Sequence, residues 1–113
     1  MHEVGLMERT LEIAIDRAKS SGATTIHRLK MRVGVLSGVV PEALNFAFDV
    51  VSEGTMAQNA RFEIEKIPAR CHCPQCQTEF QPEDIIFECP NCHQIVSKVI
   101  SGKELELSSM EVS

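Results

Sequence analysis

The amino-acid sequence predicts an α+β fold: a small three-stranded sheet covered by two helices, with a cysteine-rich module inserted before the last strand. Three observations carry that prediction. Apolar residues recur at three- and four-residue steps in two segments and at two-residue steps in three others. These segments run in the order helix, strand, helix, strand, cysteines, strand. All five cysteines fall within 22 of the 113 residues, and the remainder of the chain has none.

Residues 3 to 21 read as an amphipathic helix. Val4, Met7, Leu11, Ala14 and Ala18 share one face, Glu8, Glu12, Asp16 and Lys19 the other, and Gly22 sits where a helix stop belongs. The first strand alternates Leu29, Met31, Val33 and Val35 with Arg28, Lys30, Arg32 and Gly34. After the turn Ser37-Gly38-Val39-Val40, Pro41 suits a first helical position, and Leu44, Ala47, Phe48 and Val51 form a buried stripe that ends by Gly54. Ala60, Phe62 and Ile64 mark a second strand that stops near Pro68. The last strand runs through Leu105, Leu107, Met110 and Val112. Its apolar phase shifts by one at Ser108-Ser109, which predicts a β-bulge. The expected division is residues 1–69 with 102–113 as one α/β domain and 70–101 as the inserted module, hinged at Ile67-Pro68-Ala69 and Ser101-Gly102.

Composition narrows the function. Eleven basic against sixteen acidic residues give a formal charge of −5, and there is no Trp or Tyr to stack on bases. Both facts count against nucleic acid as a partner. The start, MHEVGLMERTLEIAIDR, is too charged for a signal peptide, and no apolar run approaches the roughly 18 residues of a membrane helix. A cytoplasmic protein is expected. There an odd number of cysteines argues for metal ligation and against a disulfide framework.

The cysteines form Cys73-Pro74-Gln75-Cys76 and, after twelve residues, Cys89-Pro90-Asn91-Cys92. Two such turns aim four thiolates at one point, the closed tetrahedron of a structural zinc site, and the module reads as zinc-ribbon-like. An iron–sulfur cluster would use the same ligand count. Phe80, Ile85, Ile86, Phe87, Ile95 and Val96 are too few to hold so small a module without metal. Cys71 is left over and reads as a partly exposed thiol on the hinge. His72 and His93, each beside a ligand, read as surface imidazoles.

A second candidate site is Met1-His2-Glu3. A residue as large as His at position 2 should leave Met1 in place. Its amine, the His2 amide and the His2 ring then chelate one ion through fused rings, and Glu3 adds a further amide and a carboxylate. Nitrogen-rich planar ligation suits Ni²⁺ and Cu²⁺. A Met-His start is common by chance, so on these residues alone an ordinary terminus stays open.

MHEVGLMERTLEIA, RVGVLSGVVPEALNFAFDV, the CPQC and CPNC knuckles and the closing GKELELSSMEV together resemble the HypA/HybF family, over essentially the whole chain. The resemblance implies a nickel metallochaperone for maturation of nickel–iron hydrogenase. It implies nickel at His2 with Met1 and Glu3, and structural zinc at Cys73, Cys76, Cys89 and Cys92. The implied partners are a nickel-insertion GTPase and the hydrogenase large-subunit precursor. Some members carry an Asp near the start of the second helix that affects nickel handling; this chain has Glu42 there. No enzyme activity is expected, because four thiolates leave zinc no open position and neither GxxxxGK[ST] nor a Ser/His/Asp set is present. The competing reading is a zinc-ribbon adaptor without a functional nickel site. The inserted module also leaves exchange between two chains, hence a homodimer, open.

Overall fold

The computed structural model describes residues 2–83 and 86–113; Met1 and Ile85, invoked above, lie outside them. The chain runs α1 (His2–Ser20), β1 (Ile26–Gly34), α2 (Pro41–Val51), β2 (Arg61–Ile67), β3 (Arg70–Cys73), β4 (Thr78–Phe80), β5 (Val99–Ser101) and β6 (Leu105–Val112). Two three-stranded sheets share no strand: β2-β1-β6 in one and β4-β3-β5 in the other. The second sheet was not foreseen, because its strands are too short to show alternation.

In the first sheet β2 lies parallel to β1, with α2 as the crossover, and β6 returns antiparallel on the other side of β1. The expected bulge is present. Lys30 faces Ser109 while Met31 faces Leu107, so Ser108 is the extra residue. Leu29, Met31 and Val33 meet Met7, Leu11, Ala14 and Ala18 of α1 and Leu44, Ala47 and Phe48 of α2 in one core. Phe48 stacks on Phe62 of β2, with ring centres 4.8 Å apart. That contact fixes the crossover helix to the strand it leads into. On the opposite face, Arg28 pairs with Glu63 at 2.9 Å and Arg32 with Glu106 at 3.2 Å, which keeps the outer face of β1 soluble.

Some expectations needed correction. Val35 lies past the end of β1 and is exposed, because the chain has already turned toward α2. Val4 and Val51, at the ends of their helices' apolar stripes, are only partly buried. Helix α1 does stop at Gly22, whose positive φ lets the Ala23 amide reach back to the Ala18 carbonyl at 2.9 Å.

The two sheets meet at a narrow junction. The Leu36 amide donates to the Gly102 carbonyl at 2.6 Å, and Gly34 N–H donates to the Glu104 carbonyl at 2.7 Å. Ser101 Oγ donates to the Pro68 carbonyl at 2.9 Å. The segments expected as hinges are therefore packed side by side. A radius of gyration of 17.5 Å, against about 13 Å for a compact chain of this length, reflects two bodies joined end to end. A Cβ at Gly34 would collide with the carbonyl of Gly102, and one at Gly102 would sit 2.8 Å from Ala69 Cα. Gly34→Ala is therefore expected to cost about 2–3 kcal/mol in urea unfolding, because backbone must move. The control Gly5→Ala, at a half-buried position where an added Cβ meets nothing within 4 Å, should not destabilise.

Candidate metal centre

Each cysteine knuckle is built by the same turn. The Gln77 amide donates to the Cys73 carbonyl at 2.7 Å, and the His93 amide to the Cys89 carbonyl at 2.9 Å. Gln77 and His93, each directly after the second cysteine of its knuckle, both take positive φ, at 55° and 63°. The knuckles are thus matched in backbone as well as in sequence, with a left-handed residue closing each turn. β3 carries Cys73 into the cluster, and the β4 hairpin and the Glu88–Ile95 bridge hold the flanking chain.

The four Sγ atoms of Cys73, Cys76, Cys89 and Cys92 lie within 4.8 Å of one another, and Cys73 Sγ is 3.6 Å from Cys92 Sγ. A tetrahedron with Zn–S bonds of 2.3 Å has edges of about 3.8 Å, so the thiol cage fits zinc with little adjustment. Backbone amides complete it electrostatically. The Cys92 and Asn91 amides point at Cys89 and hold its thiol down at about 6, whereas a hydrogen bond donated to Cys92 keeps the proton on Cys76 and pushes it up to about 12. Cys76, Cys89 and Cys92 influence one another's protons, and a divalent cation bound by the cage would displace them.

Cys71 requires a correction. It is fully buried, facing Phe80 on one side and Val99 on the other, and burial pushes its thiol up. It is a core residue of the module, two residues from Cys73 and so on the same face of β3. Ile86 and Ile95, expected to help fill that core, are exposed. His72 lies half-buried opposite Glu79, and His93 Nδ1 sits 2.8 Å from Glu88 Oε2 at the surface.

Helix α1 begins at His2, whose side chain is 78% exposed and borders a hollow with Ser37, Val39 and Leu105, close to the junction between the sheets. The first amides of a helix have no partner within it, so the His2 nitrogen is free for other use. Its ring Nε2 stands 3.6 Å from Glu3 Oε2. Glu3 is buried, and its carboxylate accepts from the Val40 amide at 3.5 Å. Val40 is the N-cap of α2 and has no capping side chain of its own. Glu3 therefore caps α2 from α1, placing a negative charge where the second helix dipole is positive. The residue sequence supplied a signal for this: Glu3 lies four before Met7, on the buried stripe. Glu42 lies exposed in the first turn of α2, and no hydrogen bond or ion pair among the described residues joins it to His2. Among those residues the four cysteines are the one cluster of three or more His, Cys, Asp or Glu with ligand geometry.

Comparison with known proteins agrees with this architecture. Residues 1–112 match the family described as hydrogenase/urease nickel incorporation, metallochaperone, hypA. The hydrogenase maturation factor HypA of a Picosynechococcus species is 49% identical over 112 residues, covering 99% of each chain. That of a Roseiflexus species is 38% identical, covering 98% of this chain and 91% of its own. The solution structure of the Ni metallochaperone HypA from Helicobacter pylori superposes with a TM-score of 0.69 at 22% identity, covering 97% of this chain and 96% of that one. At that identity the likeness speaks for the fold. A second HypA solution structure gives 0.72 at 25% identity over 100% of this chain and 97% of its own. With the whole length matched, the chain belongs to the HypA family.

Proposed function

We propose that the chain carries Ni(II) at its amino-terminal segment for the maturation of nickel–iron hydrogenase, while zinc in the four-cysteine cage holds the module of residues 70–101 together. Residues 1–69 and 102–113 form the nickel-carrying part. The whole-length family match carries the reading, and it accords with an exposed imidazole at the free end of α1.

Nickel here is cargo, and the donors suit a cargo. His2 supplies a ring nitrogen and a helix-start amide, the Met1 amine a third nitrogen, and Glu3 a carboxylate oxygen beside the ring. A helix N-terminus repels cations. The Glu3 carboxylate and loss of the amide proton offset that repulsion locally. The ion is held by few groups at a solvent-facing edge, from which another ligand set can displace it. Zinc is enclosed by four thiolates with no open position, so the cage supports structure and offers no site for catalysis. The chain acts as a carrier, not an enzyme.

The partners are those of hydrogenase maturation: the nickel-insertion GTPase and the large-subunit precursor. Free thiols suit a reducing cytoplasm, and no helix of the described residues is long and apolar enough to cross a membrane. A homodimer remains part of the proposal.

Cys92→Ser should unfold residues 70–101 while the β2-β1-β6 sheet persists, as amide exchange would report. Full protection of the module in the metal-free variant would refute a structural role for zinc. Adding one residue before Met1, or His2→Ala, should abolish tight Ni²⁺ binding and leave one zinc per chain with unchanged helicity. Full nickel stoichiometry in the extended chain would defeat the terminal chelate. Because each nitrogen donor must shed a proton, nickel affinity should fall from about pH 8 to about pH 6 while zinc stays bound. Calorimetric titration at each pH is the check.

A further inference from the structure

Helix α1 sorts its charges by side. Glu8, Glu12 and Asp16 border the groove against α2. Arg9 and Arg17 border a second groove, between α1 and β6, floored by Leu6, Met31 and Leu107. In a chain of net charge −5, neither arginine has a carboxylate within 4.0 Å among the described residues. The one acid in that groove, Glu106, is engaged by Arg32 at 3.2 Å.

Two further observations set what fits there. First, β6 is an outer strand of its sheet, so one side of its backbone is open to pairing. Second, the groove continues to the nickel end. Its hollow of about 330 Å³ shares Leu6, Arg9 and Leu105 with a second hollow of about 330 Å³ that His2 lines. Leu105 and Ile13 stand exposed at its rim, at 38% and 45%.

We propose that the α1–β6 groove binds an extended acidic segment of the protein with which nickel is exchanged, added as a strand beside β6. This rests on the nickel-carrying reading and names the surface that would bring the partner's ligands to His2. The spacing is specific. Arg9, Ile13 and Arg17 lie four residues apart on one helix face, about 6 Å between neighbours. Residues two apart on a strand face the same side at about 6.7 Å. An added strand of the pattern acidic-x-apolar-x-acidic therefore meets arginine, isoleucine and arginine in turn. Backbone pairing supplies affinity, and the two arginines select the sign of the charge.

The test uses the full-length zinc-loaded protein and two twelve-residue peptides, with Glu-Thr-Leu-Thr-Glu or Lys-Thr-Leu-Thr-Lys at the centre. The acidic peptide should shift NMR amide signals of Leu105–Val112 and the side-chain signals of Arg9 and Arg17, more weakly as salt rises. Its affinity should exceed that of the basic peptide at least tenfold, and Arg9→Glu/Arg17→Glu should reverse the order. Equal response to both peptides, a response confined to the α1–α2 groove, or no response at all would overturn the proposal. Nickel titration of wild type and double variant is read separately. One nickel per chain in both, with no peptide preference, removes the docking surface and keeps the carrier. No nickel in wild type removes the carrier itself.

Discussion

Two glycines without room for a Cβ hold this molecule together. At Gly34 the first strand comes against Gly102 so closely that backbone touches backbone, and Gly102 lies against Ala69. Three chain passages cross there: the end of β1, the exit from β2 into the cysteine module, and the return from the module into β6. Any side chain at Gly34 would part them. The hydrogen bonds from Leu36 to Gly102 and from Val35 to Ile67 exist only because those passages are adjacent. The same junction starts the loop that runs from Leu36 to Val40, whose amide meets Glu3. A contiguous run of bonded groups thus links the root of the cysteine module to the residue beside His2.

The four-cysteine cage and the proposed nickel site differ in what surrounds their donors. The four thiols converge from two short turns, with Cys73 and Cys89 buried and backbone amides aimed at Cys89. Removing a cation from there leaves thiol groups packed against one another at 3.6 Å and takes away what holds the turns. At His2 the donors come from one short stretch at a helix start, and emptying the site leaves α1 and its Glu3 cap as they were. In the proposed division of roles, stability rests on the first site and exchange on the second, and burial and connectivity are consistent with it.

Much of this was legible in sequence because it is periodic or tightly spaced. The two helices, the three long strands and the bulge at Ser108 followed from apolar repeats that a core imposes. The four-thiol cage followed from two knuckles that can only converge. What escaped notice depends on distant segments meeting. The second sheet has strands of three and four residues, too short to alternate visibly. Cys71 reads as a partly exposed thiol because a lone cysteine beside a hinge carries no signal of what covers it; Phe80 and Val99 cover it. Glu3 reads in the sequence only as a nickel donor, and its capping of α2 needs a partner 37 residues away.

Glu3 also shows how one carboxylate can serve two helices and a cation. Two helix N-termini meet near it, that of α1 which contains it and that of α2 which it caps, and both present positive potential. A buried acid is tolerated there because the Val40 amide replaces part of its lost water. The same charge lowers the cost of placing a cation at His2, 3.6 Å away. A cation drawing Glu3 toward itself would weaken the bond to Val40, and a firm bond to Val40 would limit what Glu3 gives the cation. In the proposed carrier the carboxylate would be shared, so that binding at His2 and order at the start of α2 would be set against each other. A carrier benefits from that opposition, since a site whose best anion is already partly engaged holds its ion less tightly than one built for the ion alone.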